Sequence, residues 1–214
     1  MTYSGHTQVG SAPAVRDLGT LHLTKLAVGP LDNNVYLLRA PDGETLVVDA
    51  AADAAAILAA TGNGRIDAVL TTHSHPDHWG ALASIVATTD ARTYASVADA
   101  PAISVPTTTL LEHGDQLTLG AATLDVICLR GHTPGGLALH VQDADGGHHL
   151  LTGDSLFPGG VGRTTPATFP TLLADVRSRI FDRFPDAWVY PGHGWDTTLA
   201  AERPHLADWE QRGW

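Results

Sequence analysis

The sequence is poor in several residue types, and each shortage excludes a class of protein. Cysteine occurs once, at Cys128, so no internal disulfide can form, and a lone thiol is typical of a reducing compartment. No hydrophobic run approaches the roughly 18 residues of a membrane span. Residues 1–19 lack the basic and apolar regions of a signal peptide. These absences predict a cytoplasmic protein with no membrane partner.

Positive charge is also scarce. The chain has 12 Lys and Arg residues against 23 Asp and Glu residues, and its net charge is −11. Lysine occurs only at Lys25. An acidic field of this size repels phosphate backbones. We therefore expect no nucleic-acid partner.

The remaining composition is that of an ordinary globular protein. The 214 residues are 43% hydrophobic, which is enough for a sizeable core. With 22 glycines and 13 prolines, the composition is not that of a fibrous or a disordered protein. No internal repeat or long linker divides the chain. We predict a flexible N-terminal segment over residues 1–19 and a single domain over residues 20–214.

Hydrophobic periodicity predicts strands and helices in both halves of the chain. Strands are predicted at residues 21–27, 35–39, 45–49 and 66–71, then at 116–119, 122–130, 137–142, 148–152 and 188–190. Helices are predicted at residues 53–60, 78–87, 169–184 and 197–211. This order indicates two sheets, each associated with helices.

Histidine is the unusual feature of what is present. Three of the 12 histidines fall in the segment Thr72-His73-Ser74-His75-Pro76-Asp77-His78, directly after an apolar strand. Residues i and i+2 of an extended chain point to the same side, so His73 and His75 can bind one metal ion. Pro76 then turns the chain, and Asp77 and His78 fall on the first turn of the next helix, where they suit a second ion. One loop therefore begins two metal sites.

Further candidate ligands follow later strands. His132, Asp154 and His193 each lie in a glycine-lined loop immediately after a predicted strand, where side chains from different strands can converge. Together with the first segment they make seven candidate metal ligands. The other histidines lack this spacing and are assigned to the surface or to ordinary packing: His6, His22, His113, His140, His148, His149 and His205.

These motifs resemble those of the metallo-β-lactamase superfamily, and within it those of glyoxalase II-like (hydroxyacylglutathione hydrolase-like) hydrolases. The resemblance covers about residues 21–201 and rests on His73-x-His75-x-Asp77-His78, Gly131-His132-Thr133-Pro134-Gly135, Gly153-Asp154-Ser155-Leu156-Phe157 and Pro191-Gly192-His193-Gly194. It implies an α+β fold, the αββα four-layer sandwich.

The resemblance also implies a role for each candidate ligand. His73, His75 and His132 would hold one metal ion, Asp77, His78 and His193 would hold the other, and Asp154 would bridge them. Asp49 would orient a metal-bound histidine. Two zinc ions are the expected cofactors, with iron or manganese as alternatives.

Such a centre predicts hydrolysis without a protein nucleophile. Two divalent ions lower the pKa of a bridging water, and the resulting hydroxide attacks a carbonyl. Asp77 is the candidate catalytic residue, because it would orient this water and pass its proton to the leaving group. No Gly-x-Ser-x-Gly elbow, phosphate-binding Gly-x-x-x-x-Gly-Lys loop or reactive-thiol motif is present. Since a thiolate leaves readily, we expect a small hydroxyacyl thioester as substrate.

The segments that would bind the thiol differ from those of well-known glyoxalase II enzymes. Those enzymes bind glutathione through a basic, tyrosine-bearing segment after the bridging Asp and through a helical C-terminal domain. Here residues 155–164 contain one cation, Arg163, and 21 residues follow His193, too few for that domain. Glutathione is therefore in doubt as the thiol. Arg163 is a candidate for binding a substrate carboxylate, and Trp79 and Trp195, which come just after metal ligands, are candidate walls of the cleft.

Three other functions remain open. A mononuclear iron persulfide dioxygenase has similar ligands and shares the stretch Gly162-Arg163-Thr164. A lactonase or another hydrolase of the same fold would use the same metal centre. A non-catalytic binding module held together by metal would require closed coordination or broken ligands. The metal, the thiol carrier, the acyl pocket and the oligomeric state are left open.

Overall fold

Two β-sheets and five α-helices make up residues 3–62 and 64–213, the part of the chain described by a computed structural model. The first sheet has the strands, in chain and spatial order, β1 (Ala14–Asp17), β2 (His22–Val28), β3 (Asn33–Arg39), β4 (Thr45–Val48), β5 (Ala68–Leu70), β6 (Arg92–Ser96) and β7 (Thr109–Leu111). The second contains β8 (Gln116–Leu119), β9 (Ala122–Cys128), β10 (Leu137–Gln142), β11 (His148–Gly153), β14 (Trp188–Pro191) and β15 (Thr197–Thr198). A small hairpin consists of β12 (Leu156–Phe157) and β13 (Gly160–Val161). The helices are α1 (Ala54–Ala60), α2 (Leu82–Thr89), α3 (Phe169–Val176), α4 (Leu199–Glu202) and α5 (Leu206–Arg212).

Three hydrophobic clusters show that these elements form four layers. One cluster joins the inner faces of the two sheets, with Leu38 of the first sheet and Leu139 of the second. Another joins the outer face of the first sheet to α1 and α2. The third joins the outer face of the second sheet to α3, α4 and α5. The predicted αββα sandwich is confirmed.

The packing explains why several strands read as continuous apolar runs. Residues of β3 alternate between the two sides of the first sheet: Leu38 faces the second sheet, whereas Leu37 faces the helices. Both faces are covered, so both sets of side chains are buried. Burial of one such leucine side chain is worth roughly 1.5–3 kcal/mol.

Parallel pairing places the functional loops at one edge of the sandwich. The strands β4, β5, β6 and β7 pair in parallel, and β11 pairs in parallel with β14. Within each sheet, the carboxyl ends of these strands therefore point the same way. The loops after β5, β9, β11 and β14 contain the seven predicted metal ligands. The fold thus gathers residues that lie far apart in the chain.

Part of the N-terminal segment, predicted to be flexible, packs on the first sheet. Residues Ala14–Asp17 form β1, which pairs antiparallel with β2. Tyr3 packs against the core between the sheets, and its hydroxyl donates a hydrogen bond to Asp196 Oδ2 at 2.7 Å. β1 is an edge strand without fully buried side chains, so it has little hydrophobic signal. Met1 and Thr2 lie outside the described residues, and the domain boundary at residue 20 stays a prediction.

The structure also corrects some predicted helices. His78 ends a short 3₁₀ turn, Pro76–His78, and α2 begins only at Leu82. Gly80 lies between them, where a Cβ atom would come within 2.7 Å of the carbonyl oxygen of Ala51. The helix predicted at residues 169–184 is α-helical only over α3 and continues as a π-turn, Arg177–Phe181. Among the described residues, no helix has the length and apolarity to span a bilayer.

Candidate metal centre

The seven candidate ligands converge at the carboxyl edge of the sandwich. Their side chains form three overlapping groups, and within each group the ligand atoms lie within 4.8 Å of one another. The groups are His73 with His75 and His132, Asp77 with His78 and His193, and His73 with His78 and Asp154. We refer to the first two groups as the first and second metal positions. Asp154 lies between them, its carboxylate oxygens 3.5 Å from Nε2 of His78, of His132 and of His193.

Three of the histidines are oriented by hydrogen bonds on the side of the ring that faces away from the centre. Nδ1 of His78 lies 2.8 Å from Asp49 Oδ2, Nδ1 of His132 lies 2.7 Å from the carbonyl oxygen of Arg163, and Nδ1 of His193 lies 3.0 Å from that of Leu31. These acceptors require a proton on Nδ1. The lone pair of Nε2 then points into the centre, as a metal ligand requires.

His73 and His75 present opposite ring nitrogens. The hydroxyl of Thr72 donates to Asp49 Oδ2 at 2.8 Å, so its oxygen is free to accept from Nδ1 of His73 at 3.0 Å. His73 therefore directs Nε2 into the centre. His75 instead directs Nδ1 inward, 3.0 Å from Nε2 of His73.

Asp49 anchors both metal positions. The carboxylate is 2% exposed and accepts hydrogen bonds from the backbone N–H and hydroxyl of Thr72 and from His78. It thus contacts His78 directly and His73 through Thr72. Its backbone is left-handed, with φ of 61°, a conformation that is unfavourable for a residue with a Cβ atom and is common at functional sites.

The donor set fits divalent metal ions. Nε2 of His132 and Oδ1 of Asp154 are buried without a hydrogen-bond partner. Within the described residues, no lysine or arginine forms an ion pair with Asp49, Asp77 or Asp154. Buried carboxylates and inward lone pairs need a cation between them. Imidazole and carboxylate ligands suit zinc and other first-row divalent metals.

The pKa shifts of the candidate ligands agree with a site for divalent metal ions. Burial lowers the pKa of His73 to about 2 and also lowers that of His132, so both stay neutral, the form that binds metal. Burial acts in the same direction on His78, but the carboxylates of Asp49 and Asp154 outweigh it and raise its pKa to about 10. Burial opposes ionisation of Asp154, yet His193 and His78 hold its pKa well below the usual range. The carboxylates therefore attract positive charge to this centre.

Asp77 faces the second metal position. Its Oδ2 atom lies 3.5 Å from Nε2 of both His78 and His193 and accepts a hydrogen bond from the amide of Asn33 at 2.9 Å. Burial raises the pKa of Asp77, but the Asn33 amide and His78 outweigh it, so the pKa lies below its ordinary value. Asn33 was not indicated by the sequence, because it is not a typical ligand and its contact with Asp77 joins segments far apart in the chain. Thr72 lies in the quoted segment, but its contact with Asp49 is seen only in the structure.

A cleft of about 500 Å³ opens beside the first metal position. Its lining includes His75, His132, Arg130, Arg163, Thr133, Thr164, Thr165, Thr168 and Thr171. The guanidinium of Arg130 is bound by both carboxylate oxygens of Asp175. Arg163 is exposed and forms no ion pair with any described residue. The cleft thus combines hydroxyl groups with one available cation.

The two tryptophans proposed as cleft walls lie in different environments. Trp79 packs against the helices of the first sheet, and its indole donates to the carbonyl oxygen of Ser74 at 2.9 Å. These are the contacts of a packing residue. Trp195 is 59% exposed and stacks on His6, with ring centroids 3.9 Å apart. It lies two residues after His193, so its contact with substrate stays a prediction.

Comparison with known families agrees with the fold. The family model described as "Metallo-beta-lactamase superfamily" matches residues 28–201. The chain belongs to the metallo-β-lactamase superfamily. The resemblance on which the sequence-based expectations rested is therefore confirmed.

Individual relatives and solved structures are also similar to this chain, over different shares of their length. The chain is 35% identical over 164 residues to a hydroxyacylglutathione hydrolase from Fuscovulum blasticum, and the match spans 76% of this chain and 62% of that relative. The structure of TTHA1623 in a di-iron-bound form is 30% identical, with a TM-score of 0.70 over 84% of this chain and 96% of that one. The BLEG-1 B3 metallo-β-lactamase is 26% identical, with a TM-score of 0.74 over 86% of this chain and 97% of that one.

Proposed function

We propose that the chain is a dinuclear metal-dependent hydrolase that cleaves a small hydroxyacyl thioester. The observation that carries this proposal is the convergence of seven ligand side chains into two adjoining groups around Asp154. The first metal position would be held by His73, His75 and His132. The second would be held by Asp77, His78 and His193, and the Asp154 carboxylate would bind at both.

The chemistry that the ions supply is well defined. Two divalent cations at such a centre lower the pKa of a water molecule to near neutrality and polarise a carbonyl oxygen. The side chains of this chain supply the preorganisation. The hydrogen bonds from His78, His132 and His193 to Asp49, Arg163 and Leu31 hold the imidazoles in one tautomer, so no reorientation is needed during the reaction.

Asp77 is the candidate for handling the proton. One of its carboxylate oxygens accepts a hydrogen bond from Asn33 at the second metal position, and the side chain is partly exposed. A carboxylate in this place can orient the attacking water by accepting its hydrogen bond and can then pass the proton to the leaving group. A thiolate needs little such help, which favours a thioester over an amide.

The cleft beside His75 and His132 is the proposed site for the thiol carrier. Arg163 can form a charge-assisted hydrogen bond with a carboxylate of that carrier, and the threonine hydroxyls around it can bind polar groups. The similarity to a hydroxyacylglutathione hydrolase supports a thioester substrate. The match spans only 62% of that relative, so the relative's substrate does not by itself identify the thiol that this chain would use.

Zinc is the proposed metal, because imidazole and carboxylate ligands at these spacings suit it. Iron is the alternative, since the 30% identical TTHA1623 structure holds two iron ions. An iron-loaded protein would also reopen the alternative of persulfide oxidation.

Elemental analysis of the purified protein, combined with hydrolysis assays in the same preparation, tests this function. The substrates would be S-lactoylglutathione and an analogue with a different thiol. We expect two zinc ions per chain and thioester cleavage, with the faster analogue identifying the thiol. One iron per chain, oxygen uptake with a persulfide and no cleavage would contradict the proposal. A stoichiometric metal load without turnover of thioesters or lactones would instead favour a binding module.

A further inference from the structure

Asp99 is a buried carboxylate outside the seven ligands and outside every motif in the sequence. It is 1% exposed and follows β6, at the start of a short 3₁₀ turn, Ala100–Ala102. It forms no ion pair with any described lysine or arginine. A buried carboxylate is costly unless its oxygens accept hydrogen bonds, so its partners indicate why it is there.

Those partners are the two loops that carry the ligands of the first metal position. Oδ2 of Asp99 accepts the backbone N–H of Ser74 at 3.0 Å, and Oδ1 accepts the backbone N–H of Gly135 at 2.9 Å. Ser74 lies between His73 and His75, and Gly135 lies three residues after His132. One carboxylate thus joins the loop of two ligands to the loop of the third.

The surrounding contacts make this connection rigid. The backbone N–H of Asp99 donates to Oγ of Ser96 at 3.1 Å, which fixes the turn. Gly135 approaches so closely that a Cβ atom there would overlap Oγ of Ser96 and lie 2.9 Å from Cβ of Ala98. On its other side, the Ser74 peptide accepts the indole N–H of Trp79 at 2.9 Å. The backbone between His73 and His75 is therefore held from both directions.

His75 depends most on this support. Its side chain is exposed, in contrast to buried His73, so packing alone does not determine where its ring lies. The position of the backbone at Ser74 decides whether Nδ1 of His75 reaches the centre. The second metal position is held by different contacts, from Asn33 to Asp77 and from Leu31 to His193.

We infer that Asp99 is a positioning residue for the first metal position alone, acting through the backbone of Ser74 and Gly135. The inference rests on the proposed function only in taking His73, His75 and His132 as the ligands of one ion. Hydrogen-bonded groups behind metal ligands typically change metal affinity by about 10–100-fold when they are removed.

The test is a zinc titration of the full chain, competed with a chelator, for the wild type and for Asp99→Asn and Asp99→Ala. Asp99→Asn keeps the side-chain volume but presents an N–H group to one of the two backbone donors. His132→Ala and His193→Ala serve as references for loss at the first and second positions. Asp143→Asn is the matched control, because Asp143 also accepts backbone hydrogen bonds, at Gly147 and Asp145, on the distant β10–β11 hairpin.

We expect both Asp99 variants to bind zinc about 10–100-fold more weakly at the position lost in His132→Ala, with the position lost in His193→Ala unchanged. Asp143→Asn should bind both ions as the wild type does. Unchanged affinity in the Asp99 variants, or an equal loss at both positions, would overturn the inference while leaving the proposed function in place. A wild-type protein that binds no zinc or iron would overturn the proposed function itself.

Discussion

Nε2 of His78 lies 3.2 Å from Nε2 of His193, although 115 positions separate the two residues in the chain. In both rings Nδ1 donates outward, to Asp49 and to the carbonyl oxygen of Leu31. Two lone pairs at this distance repel each other unless a proton or a metal ion lies between them. The second metal position is therefore built to hold a cation.

Replacement of the shared carboxylate should affect both ions. In Asp154→Ala we expect the metal content to fall from two ions per chain to fewer than one, because Asp154 lies within 3.5 Å of ligand nitrogens from both positions. Hydrolysis should fall by about 100-fold or more, because loss of a group behind a metal ligand already costs about 10–100-fold and Asp154 would be a ligand itself. Elemental analysis and the thioester assay measure the two effects. An Asp154→Ala protein that keeps both ions and normal turnover would contradict a shared ligand.

The loop after β14 offers a steric test. A Cβ atom at Gly192 would overlap Oδ1 of Asp154 and lie 2.7 Å from Cε1 of His78. Gly192→Ala should therefore weaken metal binding at the second position by about 10-fold or more. Gly194→Ala is the control in the same loop: its backbone has φ of 68°, so alanine is strained there, but no atom lies within 4 Å of its Cβ. It should lower stability by roughly 1–2 kcal/mol and leave the zinc titration unchanged.

Arg163 should contribute to substrate binding and not to metal binding. Only its backbone carbonyl contacts a ligand, His132, so Arg163→Gln keeps that contact while removing the charge. We expect KM for a carboxylate-bearing thioester to rise about 10–100-fold, since a charge-assisted hydrogen bond is worth roughly 1.5–3 kcal/mol. The turnover number and the metal content should change little. Arg183→Gln is the charge-matched control, because Arg183 does not line the cleft and contacts Asp125 instead. An equal KM effect there would show that only the net charge matters.

A buried histidine outside the metal centre should make stability depend on pH. His149 is 2% exposed, with Nδ1 2.9 Å from the hydroxyl of Tyr190 and Nε2 3.0 Å from Asp143. Burial lowers its pKa below the ordinary 6.5, although Asp143 opposes this and Arg16 and His148 add to it. The unfolded chain therefore binds the proton more tightly. The stability is fully present above pH 6.5 and is lost as the pH falls toward the folded-state pKa.

The measurement is the free energy of unfolding between pH 7.5 and pH 5 for the wild type and His149→Gln. Within the window, one such group adds a slope of at most about 1.4 kcal/mol per pH unit. We expect the free energy of unfolding of His149→Gln to change less steeply with pH than that of the wild type, by a part of this slope. His205→Gln changes an exposed histidine and should leave the slope as in the wild type. Parallel profiles for wild type and His149→Gln would show that His149 is not the group responsible.

Local sequence patterns were sufficient to select the candidate ligands and to predict much of the fold. The spacing of His73, His75, Asp77 and His78 is meaningful within one loop, because a strand end and a turn set the directions of these side chains. The glycine-lined loops of His132, Asp154 and His193 each follow a strand that the sequence shows as an alternating pattern or as a short apolar run. The αββα sandwich, which the family resemblance implied, was confirmed. Hydrophobic periodicity by itself predicted most of the individual strands and helices.

Tertiary structure decided what these patterns could not encode. β1 is an edge strand with little hydrophobic signal, and the break between the 3₁₀ turn at His78 and α2 depends on the approach of Gly80 to Ala51. The contacts of Asn33 with Asp77 and of Asp99 with Ser74 and Gly135 join segments 25–44 residues apart.

The sequence by itself therefore determined which side chains could bind metal, because ligand chemistry belongs to the residue type and its local spacing. Only the folded chain decided which groups hold those ligands in place, because hydrogen bonds between distant loops exist only once the two sheets have packed together.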